Sequence, residues 1–114
     1  MAITQTPQTA LSVSTTELSL LSGTSSLQAD TTACVMQAFI DISNMAKGDE
    51  FVVKVYETAR ASGTKRLLFK AVLSDAQSEL FCTPPITVVN GWDVTMTKTA
   101  GTDRAFDTSV RKVA

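Results

Sequence analysis

Eleven carboxylates and two thiols are the side chains on which acid–base, metal or nucleophilic chemistry would first have to rest in this 114-residue chain, because it contains no histidine. That absence removes the commonest general base, the commonest transition-metal ligand and the Ser–His and Cys–His couples together. The acids are Glu17, Asp30, Asp41, Asp49, Glu50, Glu57, Asp75, Glu79, Asp93, Asp103 and Asp107. Nearly all fall at strand ends, in turns or on the polar side of an alternating stretch, where solvation is the plain expectation. Asp49–Glu50 is the adjacent pair with which a hard-cation site could begin, but two acids after a glycine fall far short of the roughly six to eight oxygens of a Ca²⁺ cage. Glu57 is the acid in phase with apolar neighbours, Phe51, Val53 and Val55, and its expected partners are Arg60, or Arg66 or Lys70 across a hairpin.

Cys34 and Cys82 lie in "TACVMQAF" and "ELFCTPP", without CxxC spacing, and read as reduced core thiols, with a disulfide or a reactive thiol as the alternatives. Each of Gly48, Gly63, Gly91 and Gly101 stands alone in a turn, so no Gly-rich phosphate cradle exists and their role is backbone geometry. Trp92, Tyr56, Phe39 and Phe106 could stack on a sugar, yet Trp92 and Phe106 fit the inward phase of their strands, which favours core packing. The expectation is a non-enzyme with no catalytic residue, no metal, no cofactor and no small-molecule substrate.

Ten Lys+Arg against eleven Asp+Glu give a formal charge of −1, so no field steers a polyanion and nucleic-acid binding is not expected. The basic group Arg60, Lys65, Arg66 and Lys70, and the later Arg104, Arg111 and Lys112, suit exposed strands. No apolar run approaches the ~18 residues of a membrane span, and "MAITQTPQTALSVS" has no signal-peptide character, so the expectation is a protein made and kept in a cytosol, or released by lysis.

Alternation of apolar and polar residues organises the rest. Residues 1–9 are Thr/Gln-rich and carry Pro7, which predicts an extended arm outside a single domain over 10–114. "ALSVSTTELSLL" (10–21) reads as a strand with a bulge or bend at Thr15–Thr16, and 22–32 as a loop. "ACVMQAFIDI" (33–42) has apolar residues on both faces and predicts a central strand covered on both sides. In "SNMAKGD" (43–49), Ser43 or Asn44 could cap one helical turn before Gly48. Residues 50–60 and 66–73 form an antiparallel hairpin around Gly63. "TPP" (83–85) breaks a ladder, and Asn90–Gly91 is the strongest hairpin dipeptide present. "MTKTAGTDRAFDTSVRKVA" (96–114) reads as a closing hairpin turned at Gly101. The expected core is Phe51, Val53, Val55, Leu67, Phe69, Trp92, Val94, Met96, Phe106 and Val110. About eight short strands without a sustained helical period predict an all-β antiparallel sandwich, jelly-roll-like.

The segments "DISNMAKGDEFVVKVYE", "ASGTKRLLFKAVLSDAQSE" and "TPPITVVNGWDVTMTKTAGTDRAFDTSVRKV" together resemble a recurring small virion protein of tailed bacteriophages. The likeness spans residues 33–113, and "AKGDEF" and "KTAGTDRAF" carry most of it. It implies a cement or decoration protein of the phage head, made in the host bacterial cytoplasm, often trimeric, that bridges subunits of the major capsid protein. On that basis Ile3, Thr4, Gln5, Thr6 and Pro7, with loops 22–32 and 83–91, are the expected contacts with capsid or sister subunits. The competing readings are a head fibre or a carbohydrate- or receptor-binding module, which needs an exposed Trp92 or Tyr56, and a head–tail joining or tail protein.

Overall fold

Alternating side chains and turn residues produce strands throughout, and the computed structural model, which describes residues 2–114, contains no helix among them. The strands are β1 (Ile3–Val13), β2 (Leu18–Ser19), β3 (Cys34–Asp41), β4 (Glu50–Glu57), β5 (Arg66–Ser74), β6 (Leu80–Cys82), β7 (Ile86–Val88), β8 (Asp93–Ala100) and β9 (Arg104–Val113). All pairings are antiparallel. One sheet runs β1-β9-β3 with β6 and β7 both against the far side of β3; the other runs β2-β8-β4-β5. With β6 and β7 counted as one interrupted strand, this is the eight-stranded jelly roll.

The interruption is local chemistry. Pro84 and Pro85 have no amide to give a ladder. Thr83 compensates beside them: its N–H donates to Ala38 O (3.0 Å) and its hydroxyl accepts from Ala38 N (3.0 Å). Both backbone groups of the central strand therefore stay paired where the partner strand breaks.

The two inner faces meet in one core. Met36, Ala38 and Ile40 of β3, Phe51, Val53 and Val55 of β4, Val94 and Met96 of β8, and Phe106 and Val110 of β9 are all buried, with Trp92 beside them. Phe51 and Phe106 meet edge to face across the sandwich with ring centroids 4.9 Å apart. Burial of each such side chain contributes on the order of 2–3 kcal/mol.

Several expectations need correction. Residues 3–9 are not a detached arm but the first part of edge strand β1, paired with β9 from Ile3↔Val113 to Gln8↔Thr108. Pro7 is tolerated because β1 is an edge. Met1, the first residue of the expected arm, lies outside the described residues. The break at Thr15–Thr16 is where the chain leaves one sheet and enters the other, and the ladder bulge lies earlier, between Gln8 and Leu11, with Ala10 at φ 48°.

Residues 96–114 do not form a hairpin. β8 and β9 belong to opposite sheets, and Gly101 turns the chain across the sandwich. Asn90–Gly91 likewise joins β7 of one sheet to β8 of the other. Residues 43–49 form turns rather than a helical turn; of the two cap candidates, Asn44 donates its side-chain amide to Ala105 O (2.8 Å) and Ser43 its hydroxyl to Asp41 Oδ1 (2.7 Å).

β3 is covered on one face only. Val35 and Asp41 are exposed, and Phe39 is half-buried under the guanidinium of Arg111, 4.0 Å from its ring centre. The β4–β5 hairpin is as expected except at its end. Val55 pairs with Phe69 but Tyr56 with Leu67, so Leu68 is the extra residue of a bulge. A one-residue slip moves each side chain beyond it to the opposite face. Leu67, expected in the core, is therefore on the outer face and 50% exposed, while Phe69 packs half-buried against the core.

Candidate functional site

Asp49, the acid that suggested a cation site, is the centre of a structural joint. Its Oδ2 accepts from Ala46 N (2.9 Å) and Arg104 Nε (2.7 Å), and its Oδ1 accepts from Thr102 N (3.1 Å). The hydrogen bond from Ala46, then those from Arg104 and Thr102, hold the carboxyl down at about 2. Asp75 closes the same corner, its N–H donating to Asp49 O (2.9 Å) and its Oδ1 accepting from Gly48 N (3.0 Å). Gly48 (φ 93°) and Gly101 (φ 88°) supply the left-handed backbone that lets three loops converge. "AKGDEF" and "KTAGTDRAF", the two segments that carry the sequence resemblance, are thus the two halves of one joint between the sheets.

A second set of ties closes the opposite end. Glu57 pairs with none of Arg60, Arg66 or Lys70; its Oε1 accepts from the backbone N–H groups of Val89 and Asn90. The hydroxyl of Thr58 donates to Asn90 O (2.6 Å), and Gly91 turns at φ 97°. Gly63 closes a turn by donating to Arg60 O (3.0 Å), but the positive φ falls on Ser62 (62°), not on the glycine. Trp92 is fully buried and donates its Nε1–H to Thr32 O (3.1 Å). Above it Lys112 pairs with Asp30 (3.0 Å).

The outer face of the β2-β8-β4-β5 sheet carries a polar network. Glu17 accepts from Tyr56 Oη (2.9 Å) and from the Thr95 hydroxyl. Burial, with the hydrogen bond to Glu17, pushes the Tyr56 phenol up to about 12. Buried Asp93 accepts from Ser19 Oγ (2.7 Å), Gln28 N (2.9 Å) and Val94 N (2.8 Å), which fastens loop 20–30 to the sheet. Burial raises its carboxyl despite these bonds. Both aromatics that a sugar platform would need are therefore occupied, Trp92 in the core and Tyr56 in this network.

Among the described residues no three Cys, Asp or Glu side chains come together as metal donors. What the molecule presents instead is surface. Across the outer face of the β1-β9-β3 sheet, Ile3, Val113 and Val35 form one row, Gln5, Arg111 and Gln37 the next, and Pro7, Ser109 and Phe39 a third. Ile3 is 68% exposed. Of the expected contact set, Ile3, Gln5 and Pro7 share this face, whereas Thr4 and Thr6, opposite Lys112 and Val110, point to the other side.

A further group of exposed apolar side chains, which alternation does not single out, is divided between the two sheets along one side of the sandwich. Leu67, Leu68 and Val72 on β5, with Leu80 before Phe81 and Val89 after β7, make up five of the eight exposed large hydrophobic side chains among the described residues. A shallow cavity of about 190 Å³ opens beside Leu67 and Leu68. The signal for it was present in the run Arg66–Leu67–Leu68, which alternation alone cannot place on one face.

Cys34 is buried, as expected, but Cys82 is exposed, opposite Phe39 on the outer face of its sheet, and both are free thiols. Burial raises both thiols, which disfavours the thiolate at each.

No protein-family model matches the chain, and no curated protein matches it in sequence. A solved structure described as "Bacillus endospore appendages form a novel family of disulfide-linked pili" is similar to it, with a TM-score of 0.51 over 97% of this chain and 88% of that one, at 16% identity. At that identity the likeness is one of fold.

Proposed function

We propose that the protein is a structural component of a tailed-bacteriophage virion, a cement or decoration protein that stabilises the head by bridging major capsid protein subunits. The observation that carries this reading is the division of exposed apolar residues between the two outer faces of the sandwich, Ile3, Val35 and Leu80 on one sheet and Leu67 and Val72 on the other. A bridging protein needs two such surfaces, because each attachment then raises the effective concentration of the other. The resemblance over residues 33–113 supplies the virion context, and the jelly roll is a fold that capsid proteins use among other functions.

Purified heads lacking the protein test the proposal by co-sedimentation. The wild-type chain is expected to pellet with heads, and Ile3→Glu/Val35→Glu, which alters exposed positions only, is expected to remain in the supernatant while staying folded. A wild-type chain that ignores heads overturns the reading, as does a double variant that binds them equally well.

A second reading is a subunit of a self-assembling fibre. The nine-residue edge strand β5 favours it, and the pilus protein of like fold is a precedent for such a use. Filaments growing from the purified chain alone would select it.

A further inference from the structure

Arg111 stands on the outer face of its sheet without an acid. Bases on exposed strands commonly guard an edge, but β9 lies between β1 and β3, so Arg111 projects from the middle of the sheet, between Gln5 and Gln37. The other two bases near the ends of that strand are paired, Arg104 with Asp49 and Lys112 with Asp30. Among the described residues no carboxylate lies within ion-pair distance of Arg111.

Its guanidinium is nevertheless held in place. It lies 4.0 Å from the centre of the Phe39 ring, and its Nε donates to Ser109 Oγ (3.4 Å), which itself donates to Gln5 Oε1 (2.8 Å). Holding so long a side chain costs rotamer freedom. What it leaves is a flat fork whose two Nη groups donate to nothing among the described residues, and that fork matches the two oxygens of a carboxylate. A shallow cavity of about 280 Å³ opens beside the fork, lined by Ile3 and Gln5. Ile3 is its apolar wall, and Val35 is exposed in the same row.

The acids of this face stand at its other end and are engaged. Asp41 accepts from Ser43 N (3.1 Å) and Ser43 Oγ (2.7 Å), and Asp107 from Ala10 N (2.8 Å). The face therefore runs from apolar through cationic to anionic. An acidic group is attracted at Arg111 and repelled beyond Ser109.

We propose that this face binds an extended segment of a partner protein that presents an aliphatic side chain to Ile3 and, two residues along, a carboxylate to the Arg111 fork. Successive rows of the face are two residues apart, about 7 Å, and an extended segment repeats its side chains at that spacing. The proposal rests on reading the face as the docking surface of a cement protein, and adds the chemistry that the surface selects. Its test uses a synthetic peptide and no capsid, so its failure is separate from failure of that reading.

Proton–nitrogen correlation spectra of the full chain, recorded at low ionic strength, follow titration with the capped peptide Leu-Thr-Glu-Thr-Leu. The Arg111 Nε–H and Gln5 side-chain amide resonances are expected to move saturably. A peptide with glutamine in place of glutamate should bind about fivefold more weakly, the loss of one exposed ion pair, and one with lysine more weakly still. Arg111→Gln should bind the glutamate and glutamine peptides alike. Lys70→Gln, which removes a charge from the other sheet, should keep the wild-type preference. Absence of a saturable shift overturns the proposal, and so does equal binding of the two peptides by the wild type. A preference that survives Arg111→Gln, or that Lys70→Gln abolishes as completely, does the same.

Discussion

Gly101 lies so close to Asp49 that a Cβ on the glycine would stand 2.2 Å from the carboxylate Oδ1 and 2.6 Å from Asp49 Cα. The backbone at Gly101 is also left-handed, at φ 88°. Gly101→Ala therefore meets both a backbone penalty and a fixed neighbour, and is expected to destabilise the fold by about 2 kcal/mol or more. Urea denaturation of the two proteins measures it; an unchanged midpoint would show that the joint is looser than its contacts imply.

The same joint sets a pH dependence. The Asp49 carboxyl lies at about 2 in the folded protein against 3.8 for the free group. A lowered carboxyl stabilises the fold fully above its unfolded value and loses that contribution as pH falls through its folded value. Asp93, whose carboxyl is raised by burial, has the opposite sign: its contribution is full at low pH and is lost as pH rises through its folded value. The wild-type curve alone mixes the two. The stability difference between wild type and Asp49→Asn should shrink between about pH 5 and pH 2, and a difference that stays constant would mean Asp49 is not held by these bonds.

The bulge at Leu68 separates two neighbours that the sequence places together. Leu67→Lys should change stability by no more than about 0.5 kcal/mol, whereas Phe69→Ala should cost about 2 kcal/mol through lost packing against the core. Equal losses at both positions would place Leu67 inside.

Trp92 is the single tryptophan and is fully buried. Its emission should be blue-shifted, resist iodide quenching, and stay unmoved on titration with oligosaccharides. Quenching as strong as that of free tryptophan would revive the sugar-binding alternative.

The thiols differ in access. In the native protein one thiol per chain, Cys82, should react with a water-soluble disulfide reagent, and Cys34 only after denaturant is added. Two equally fast thiols would contradict the placement of Cys34.

These outcomes also show how far the sequence could be read. Alternation identified the strands around Val53, Phe69, Val94 and Phe106, because burial on one face leaves a period of two. It could not assign those strands to sheets. Both sheets of a sandwich face the same core, so β8 and β9 alternate in the same way whether they pair or lie opposite each other, and a short Gly101 turn suits either. Leu67 was misplaced because a single extra residue inverts the phase with no composition signal. Asp49 looked like a solvated turn acid because Thr102 and Arg104 stand more than fifty positions away in the chain.

β9, the last of the described strands in order of synthesis, does not sit at a border: it lies between β1 and β3 and links them in their sheet. While residues 104–113 are still being made, β1 has no strand to pair with, although β3 can already meet β6 and β7. The β1-β9-β3-β6 sheet therefore cannot be completed until this segment is available, and its closing contacts join residues from the two ends of the chain, which makes them slow to form.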